Sequence, residues 1–134
     1  MNILLLSPHY PQRLYFFAMA LKAKGAHLVG IGDTSWYALN GELKASLADY
    51  VHQDLFCYAA NGVIDEERYD RLYRTVAHLV SKHGRFDAIE SLNEFWLPLE
   101  ARLRADFNVP GPKPAELEHL VRKSLMKEHF RNAG

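Results

Sequence analysis

Ile3-Leu4-Leu5-Leu6-Ser7-Pro8 opens the chain with a short, uninterrupted apolar run, and His27-Leu28-Val29-Gly30-Ile31-Gly32 repeats that character after Gly25. A run of this kind, stopped by Ser-Pro, is what a strand buried on both faces looks like, and such strands belong to parallel sheets. Between the two runs, Leu14, Phe17, Ala18 and Leu21 recur at helical spacing, Lys22 and Lys24 follow near the end, and Gly25 supplies the stop. Strand, helix and strand over residues 3–32 make a βαβ unit, whose right-handed crossover sets the two strands side by side and parallel.

Outward from this unit, residues 36–48 carry the turn signal Asn40-Gly41, with short irregular helix expected on either side. Tyr50-Val51-His52 reads as a third strand. Asn61-Gly62 turns the chain, and Asp65-Glu66-Glu67 opens a long helix with acids at its positive end. Tyr69, Leu72, Tyr73, Val76 and Val80 form its expected buried stripe, and Gly84 stops it after Lys82 and His83. Residues 86–92 read as a fourth strand. Asn93 or Leu97 caps the next helix, where Pro98 is tolerated in the first turn, and that helix runs to about Phe107. Pro110-Gly111-Pro112 and Pro114 form a rigid connection to two short helices near 114–120 and 122–133. The expected fold is therefore α/β: a Rossmann-like open parallel sheet of about four strands with helices on both faces, followed by C-terminal helices. Residues 1–112 form the domain and 113–134 the linker helices.

Composition narrows the function. Sixteen basic residues balance sixteen acidic ones over 134 residues, so no basic excess points to nucleic acid or a membrane surface. A single cysteine, Cys57, excludes an internal disulfide and any cysteine-based zinc knuckle, and fits a reducing compartment. The N-terminus lacks the basic region of a signal peptide, and no apolar segment is long enough to span a bilayer. The expected localisation is cytoplasmic.

Ligands of such sheets sit beyond the carboxyl ends of the strands, near the switch in strand order. That rim holds Ser7 to Tyr10, Gly32-Asp33-Thr34 and Ser91 to Glu94. A dinucleotide site would need glycines in the first turn, and Ser-Pro-His-Tyr-Pro offers none. A phosphoacceptor site would need clustered acids for a hard cation, and the same turn has none. No pair among the seven histidines has the four-residue spacing of two metal ligands on one helical face. His78 and His83 share a helix but diverge by about 140° at 3.6 residues per turn. His9 differs from the others because its loop can reach a ligand, a structural role in that loop being the alternative. Cys57 lies between Phe56 and Tyr58 and reads as core, not as the nucleophile of a hydrolase. Glu90 and Glu94 are either an acid–base pair or, separately, a strand residue and a helix-start acid.

The stretch Phe-Asp-Ala-Ile-Glu-Ser-Leu-Asn-Glu (86–94) resembles the strand-then-glutamate segment of pre-ATP-grasp domains. Glu-Ala-Arg-Leu-Arg-Ala-Asp-Phe-Asn-Val-Pro-Gly (100–111) is similar to the helix and Pro-Gly exit that follow there. Arg122-Lys123-Ser124-Leu125-Met126-Lys127 with Ala133-Gly134 looks like the lead-in to the ATP-grasp fold. The family is the ATP-grasp superfamily, which includes biotin carboxylase and the carbamoyl-phosphate synthase large subunit. The resemblance covers about residues 86–134. Ser124 follows Lys123 where the family often has Asp, and the glycine-rich turn of several branches is missing, which leaves branch and substrate open.

The resemblance implies the N-terminal, substrate-side domain of a longer ligase, which activates a carboxylate with ATP through an acyl phosphate and passes it to an amine or similar nucleophile. It implies Lys123 as an ATP contact, and ATP and Mg²⁺ as cofactors held largely by a following ATP-grasp domain. Ser7, His9, Tyr10 and Glu94 would face a small carboxylate or amine substrate. These residues would be inactive by themselves. No catalytic residue and no metal ligand is assigned within them. The alternative from a different class is a non-enzymatic α/β ligand-binding or interaction module.

Overall fold

The computed structural model describes residues 1–10 and 12–117. Four strands, β1 (Asn2–Leu6), β2 (His27–Gly32), β3 (Asp49–His52) and β4 (Ala88–Glu90), pair in parallel in the order β3-β2-β1-β4. The register runs Asn2↔His27 through Leu6↔Ile31, Val29↔Asp49 and Ile3↔Ala88. The expected α/β sheet of four parallel strands is present. β4 is shorter than the expected 86–92: Phe86 is buried in the core, while beyond Glu90 the chain turns into the rim.

The apolar run of β1 works because its two faces feed two cores. Leu4 and Leu6, with Val29 and Ile31 of β2, face one cluster; Ile3, Leu5 and Leu28 face the other. Alternation along a strand produces this division, and burial on both sides makes the sequence continuous rather than alternating.

Helices α1 (Leu14–Ala23) and α2 (Gly41–Ser46) cover the Ile3–Leu5 face through Ala18 and Leu43. Phe17, expected on the buried face of α1, is 39% exposed, since Ala18, with Leu21 beside it, takes the contact with the sheet-side cluster and Phe17 falls to the flank. Asn40 caps α2, its side chain accepting from the Glu42 and Leu43 N–H groups, with a 3-10 turn at Trp36–Ala38 before it.

The other face is covered by α3 (Glu66–His83) and α4 (Leu97–Asp106). Asp65 caps α3, its carboxylate accepting from the Glu67 and Arg68 N–H groups, and Gly84 ends it at φ 87. The buried stripe is Tyr69, Leu72, Val76 and Leu79. Tyr73 moves out of the expected stripe and Leu79 joins it, while Val80 stays half-buried against the same core. Tyr73 is 39% exposed and packs its ring 4.9 Å from that of Phe107. Pro98 sits in the first turn of α4, where its missing N–H costs nothing. Residues 114–117 are helical, which agrees with the start of the first expected linker helix; the remainder, including the helix near 122–133, lies outside the described residues. No helix among the described residues is long and apolar enough to cross a membrane.

Candidate functional site

β1 is central, so the loop leaving it touches the rim between its neighbours. Ser7 N–H donates to Ile31 O (2.8 Å) and the Tyr10 N–H closes a turn onto Ser7 O (3.2 Å). Ser7 itself is buried and left-handed at φ 51, a conformation that costs a residue with a Cβ about 1–2 kcal/mol. That turn lifts His9 over the end of β2. Its Nε2 lies 3.0 Å from Asp33 Oδ1, joining the loops after β1 and β2. His9 Nδ1 is buried and has no hydrogen-bond partner among the described residues. Tyr10 points outward and is exposed.

Two glycines make the seat for this arrangement. A Cβ on Gly32 would stand 2.7 Å from the Tyr50 hydroxyl and 3.2 Å from His9 Nδ1; one on Gly30 would stand 3.1 Å from Pro8 Cγ. The Tyr50 hydroxyl donates to Thr34 O, and His52 Nε2 sits 3.1 Å from Asp33 O, so the loop after β2 is anchored from β3 as well. Burial raises the Tyr50 phenol above its ordinary value, partly offset by Thr34, and keeps it a neutral donor. Beside His9 a cavity of about 430 Å³ opens, lined by Gln12, Tyr15, Thr34, Leu39, Asn40 and Leu43 among others. It offers an imidazole, a phenol, amides and a hydroxyl over an apolar floor, the makeup of a site for a small polar ligand.

On the other side of β1, the loop 91–96 is built from its own side chains. Ser91 Oγ donates to Asn93 O (3.1 Å), Asn93 Oδ1 accepts from Phe95 N–H (3.0 Å), and Tyr58 donates to Phe95 O (2.7 Å). Glu94 opens the 3-10 turn Glu94–Trp96 and is exposed. Because β1 and β4 are adjacent and parallel, Ser7, His9, Tyr10 and Glu94 all leave carboxyl ends on one rim. The structure joins His9 to Asp33; among the described residues no hydrogen bond or ion pair joins Glu94 to either. Lys123 lies outside the described residues.

Glu90 is an ion-pair partner: its Oε2 lies 3.3 Å from Arg104 Nη2. That guanidinium, almost wholly buried, also donates to Ile89 O (2.7 Å) and to Pro112 O (3.1 Å), and meets the buried Glu100 at 3.4 Å. Burial lifts the Glu100 carboxyl above the ordinary range, against the pull of Ser91 and Arg104 beside it. Cys57 is buried, and burial pushes its thiol up to about 11, which removes it as a nucleophile at neutral pH. The Glu100–Arg104 pair and the cavity beside His9 are the features that reading the sequence missed. Gly30 and Gly32, on one face of a strand, were the available signal for the cavity.

No protein-family model matches the chain, and no curated protein matches it significantly. Among solved structures, the crystal structure of an L-amino acid ligase from Bacillus licheniformis is similar, with a TM-score of 0.58 and 16% identity over 84% of this chain. The match takes in 25% of that ligase, so the chain spans about a quarter of its length. At this identity the likeness is one of fold.

Proposed function

We propose that these residues are the N-terminal, substrate-side domain of an ATP-dependent ligase, one that activates a carboxylate as an acyl phosphate and delivers it to an amine. One observation carries the reading. The segment 86–111, which resembles a pre-ATP-grasp domain, forms β4 and α4 beside β1, in a fold shared with a quarter of an L-amino acid ligase. The placement of Ser7, His9, Tyr10 and Glu94 on one carboxyl rim supports the same reading, since substrates of open parallel sheets bind there.

In this reading His9 and Asp33 orient a substrate at the cavity beside them, and Glu94 lines the neighbouring loop. Among the described residues no group of three or more His, Cys, Asp or Glu could hold a metal ion. In the same reading Mg²⁺ would belong to a following domain, where it would neutralise the phosphates of ATP, with Lys123 as the contact from this chain. The domain supplies binding and orientation. The cavity also suits the second reading, a ligand-binding module without enzymatic activity.

Incubating the 134-residue chain with ATP, Mg²⁺ and a panel of amino and carboxylic acids should release no ADP above background. The same chain expressed with the reading frame that follows Gly134 should release ADP only when a carboxylate and an amine are both present. Turnover by the 134 residues alone would overturn the proposal, as would a reading frame that stops at Gly134.

A further inference from the structure

The opposite rim of the sheet carries a cluster that the proposed ligase chemistry does not use. His27, the first residue of β2, places Nε2 at 3.0 Å from Nδ1 of His83, the last residue of α3. The other nitrogen of His83, Nε2, lies 2.8 Å from Asp49 Oδ2 at the start of β3. Lys82 Nζ is 2.9 Å from the same oxygen. The two histidines come from separate elements 56 positions apart, a pairing that spacing along one helix does not disclose.

Both rings are held by backbone fixed on either side. His27 N–H donates to Met1 O (2.7 Å), and Asn2 pairs with His27 in the β1–β2 ladder. Asn2 Nδ2 donates to His83 O (2.8 Å), and Gly84 ends the helix directly after it. The His83 side chain is 11% exposed, while His27 is open to solvent.

From this geometry we infer that His27 and His83 form a two-imidazole clasp for a borderline transition-metal ion such as Zn²⁺, Ni²⁺ or Cu²⁺, completed by water. Three physical points support it. An ion about 2.0–2.1 Å from each nitrogen separates them by roughly 2.9 Å at a right angle and about 3.3 Å at a tetrahedral angle. The observed 3.0 Å falls inside that range. Next, Asp49 accepts from His83 Nε2–H, which leaves Nδ1 as the lone-pair nitrogen facing His27. A carboxylate behind a ligating histidine is the usual outer partner of such sites: it fixes the tautomer and raises the basicity of the ring. Last, His83 ends an 18-residue helix, whose carboxyl terminus carries partial negative charge and favours a cation.

Without metal, His27 Nε2–H donates to His83 Nδ1. On binding, the neutral His27 ring carries its proton on Nδ1 and offers the Nε2 lone pair. Two imidazoles and water suit Zn²⁺, Ni²⁺ and Cu²⁺ and do not suit Mg²⁺. This site is independent of the rim at His9 and Glu94.

The test is calorimetric titration of the 134-residue chain with ZnCl₂, NiCl₂ and MgCl₂, its fold checked by circular dichroism. One equivalent of Zn²⁺ or Ni²⁺ should bind, and Mg²⁺ should not. His27→Gln, at an exposed position, should weaken binding at least about tenfold, and so should His83→Gln; His78→Gln should leave it unchanged. Asp49→Asn should weaken binding about 10- to 100-fold, the range for losing an outer partner. Cu²⁺ electron paramagnetic resonance should show two equatorial nitrogens, reduced to one in folded His27→Gln. No binding by the folded wild-type chain, or equal binding by His27→Gln and wild type, would overturn the clasp.

Discussion

Arg104 Nη2 stands 3.4 Å from Glu100 Oε2, one turn back on α4, and both side chains are almost wholly removed from solvent. The same guanidinium reaches Ile89 O in β4, Glu90 and Pro112 O, so one buried cation ties strand, helix and the Pro-Gly-Pro exit together. A Cβ on Gly111 would come within 2.8 Å of its Nε, which requires the exit to pass with a bare backbone.

Arg104→Met should therefore be among the most damaging substitutions in the domain. It leaves the Glu100 carboxyl buried without its cation and frees the exit, and breaking a buried pair costs about 3–5 kcal/mol. The double variant Glu100→Leu/Arg104→Met should recover most of that loss, because the surviving charge is gone as well. Urea unfolding of wild type, Glu100→Leu, Arg104→Met and the double variant measures the cycle. A double variant no more stable than Arg104→Met alone would refute the pairing as the source of the cost.

Glu100 also sets a pH dependence. Its folded carboxyl is raised above the unfolded value, chiefly by burial, with Glu90 adding and Ser91 and Arg104 opposing. Between the unfolded and folded values the native state holds more protons than the unfolded chain. Stability from this group thus falls as pH rises from about 4.3 through the folded value, the reverse of a salt-bridged surface carboxylate. In Glu100→Gln that decline should be absent. Unfolding free energies of the two proteins between pH 4 and 8 should diverge; parallel profiles would show that Glu100 is not the titrating group.

Cys57 reports on the integrity of the same core. With the thiol buried and raised to about 11, iodoacetamide at pH 8 should leave the native chain essentially unmodified and alkylate it fully in urea. Modification under native conditions should follow opening of the structure and so quicken in Arg104→Met. Rapid alkylation of the native wild type would place Cys57 at an accessible position.

Why some of this was legible in the sequence and some not comes down to the range of the interactions. Ile3–Leu6 and Leu28–Ile31 declare a two-sided sheet because burial on both faces removes alternation. The capping acid Asp65, the first-turn acids Glu66 and Glu67 and the stop at Gly84 act within one helix and can be read locally. The stripe of α3 was displaced onto Leu79 because a helical face is about 100° wide and its centre depends on the partner sheet. The Glu100–Arg104 spacing of four is visible, but on a helix that pattern usually marks a solvated face. Its burial follows from where β4 and the exit pass. His9–Asp33 and His27–His83 join ends of different elements, so only topology reveals them.

The seat of His9 gives the sharpest test of the rim. Gly32 and Gly30 lie on one face of β2, two residues apart, but an added methyl meets different neighbours. At Gly32 it would press on the Tyr50 hydroxyl at 2.7 Å and on His9 Nδ1 at 3.2 Å. Tyr50 is held by its bond to Thr34 O and His9 by Asp33, so neither yields without losing a polar contact. At Gly30 the neighbours are Pro8 Cγ, a Tyr50 ring carbon and Leu47 Cδ1 at 3.1–3.4 Å, apolar groups that adjust by a few tenths of an ångström. At Gly41, in the first turn of α2, nothing lies within 4 Å. Gly32→Ala should cost about 1–3 kcal/mol, as overpacking does, and shift the His9 and Thr34 resonances together. Gly30→Ala should cost less and leave the His9 ring in place. Gly41→Ala should stabilise by about 0.4–1 kcal/mol, since it restricts only the unfolded chain. Urea unfolding with heteronuclear NMR of the His9 ring measures all three. If Gly32→Ala proves no more costly than Gly30→Ala, or leaves the His9 ring undisturbed, then His9 does not rest on β2, and the cavity beside it loses its wall.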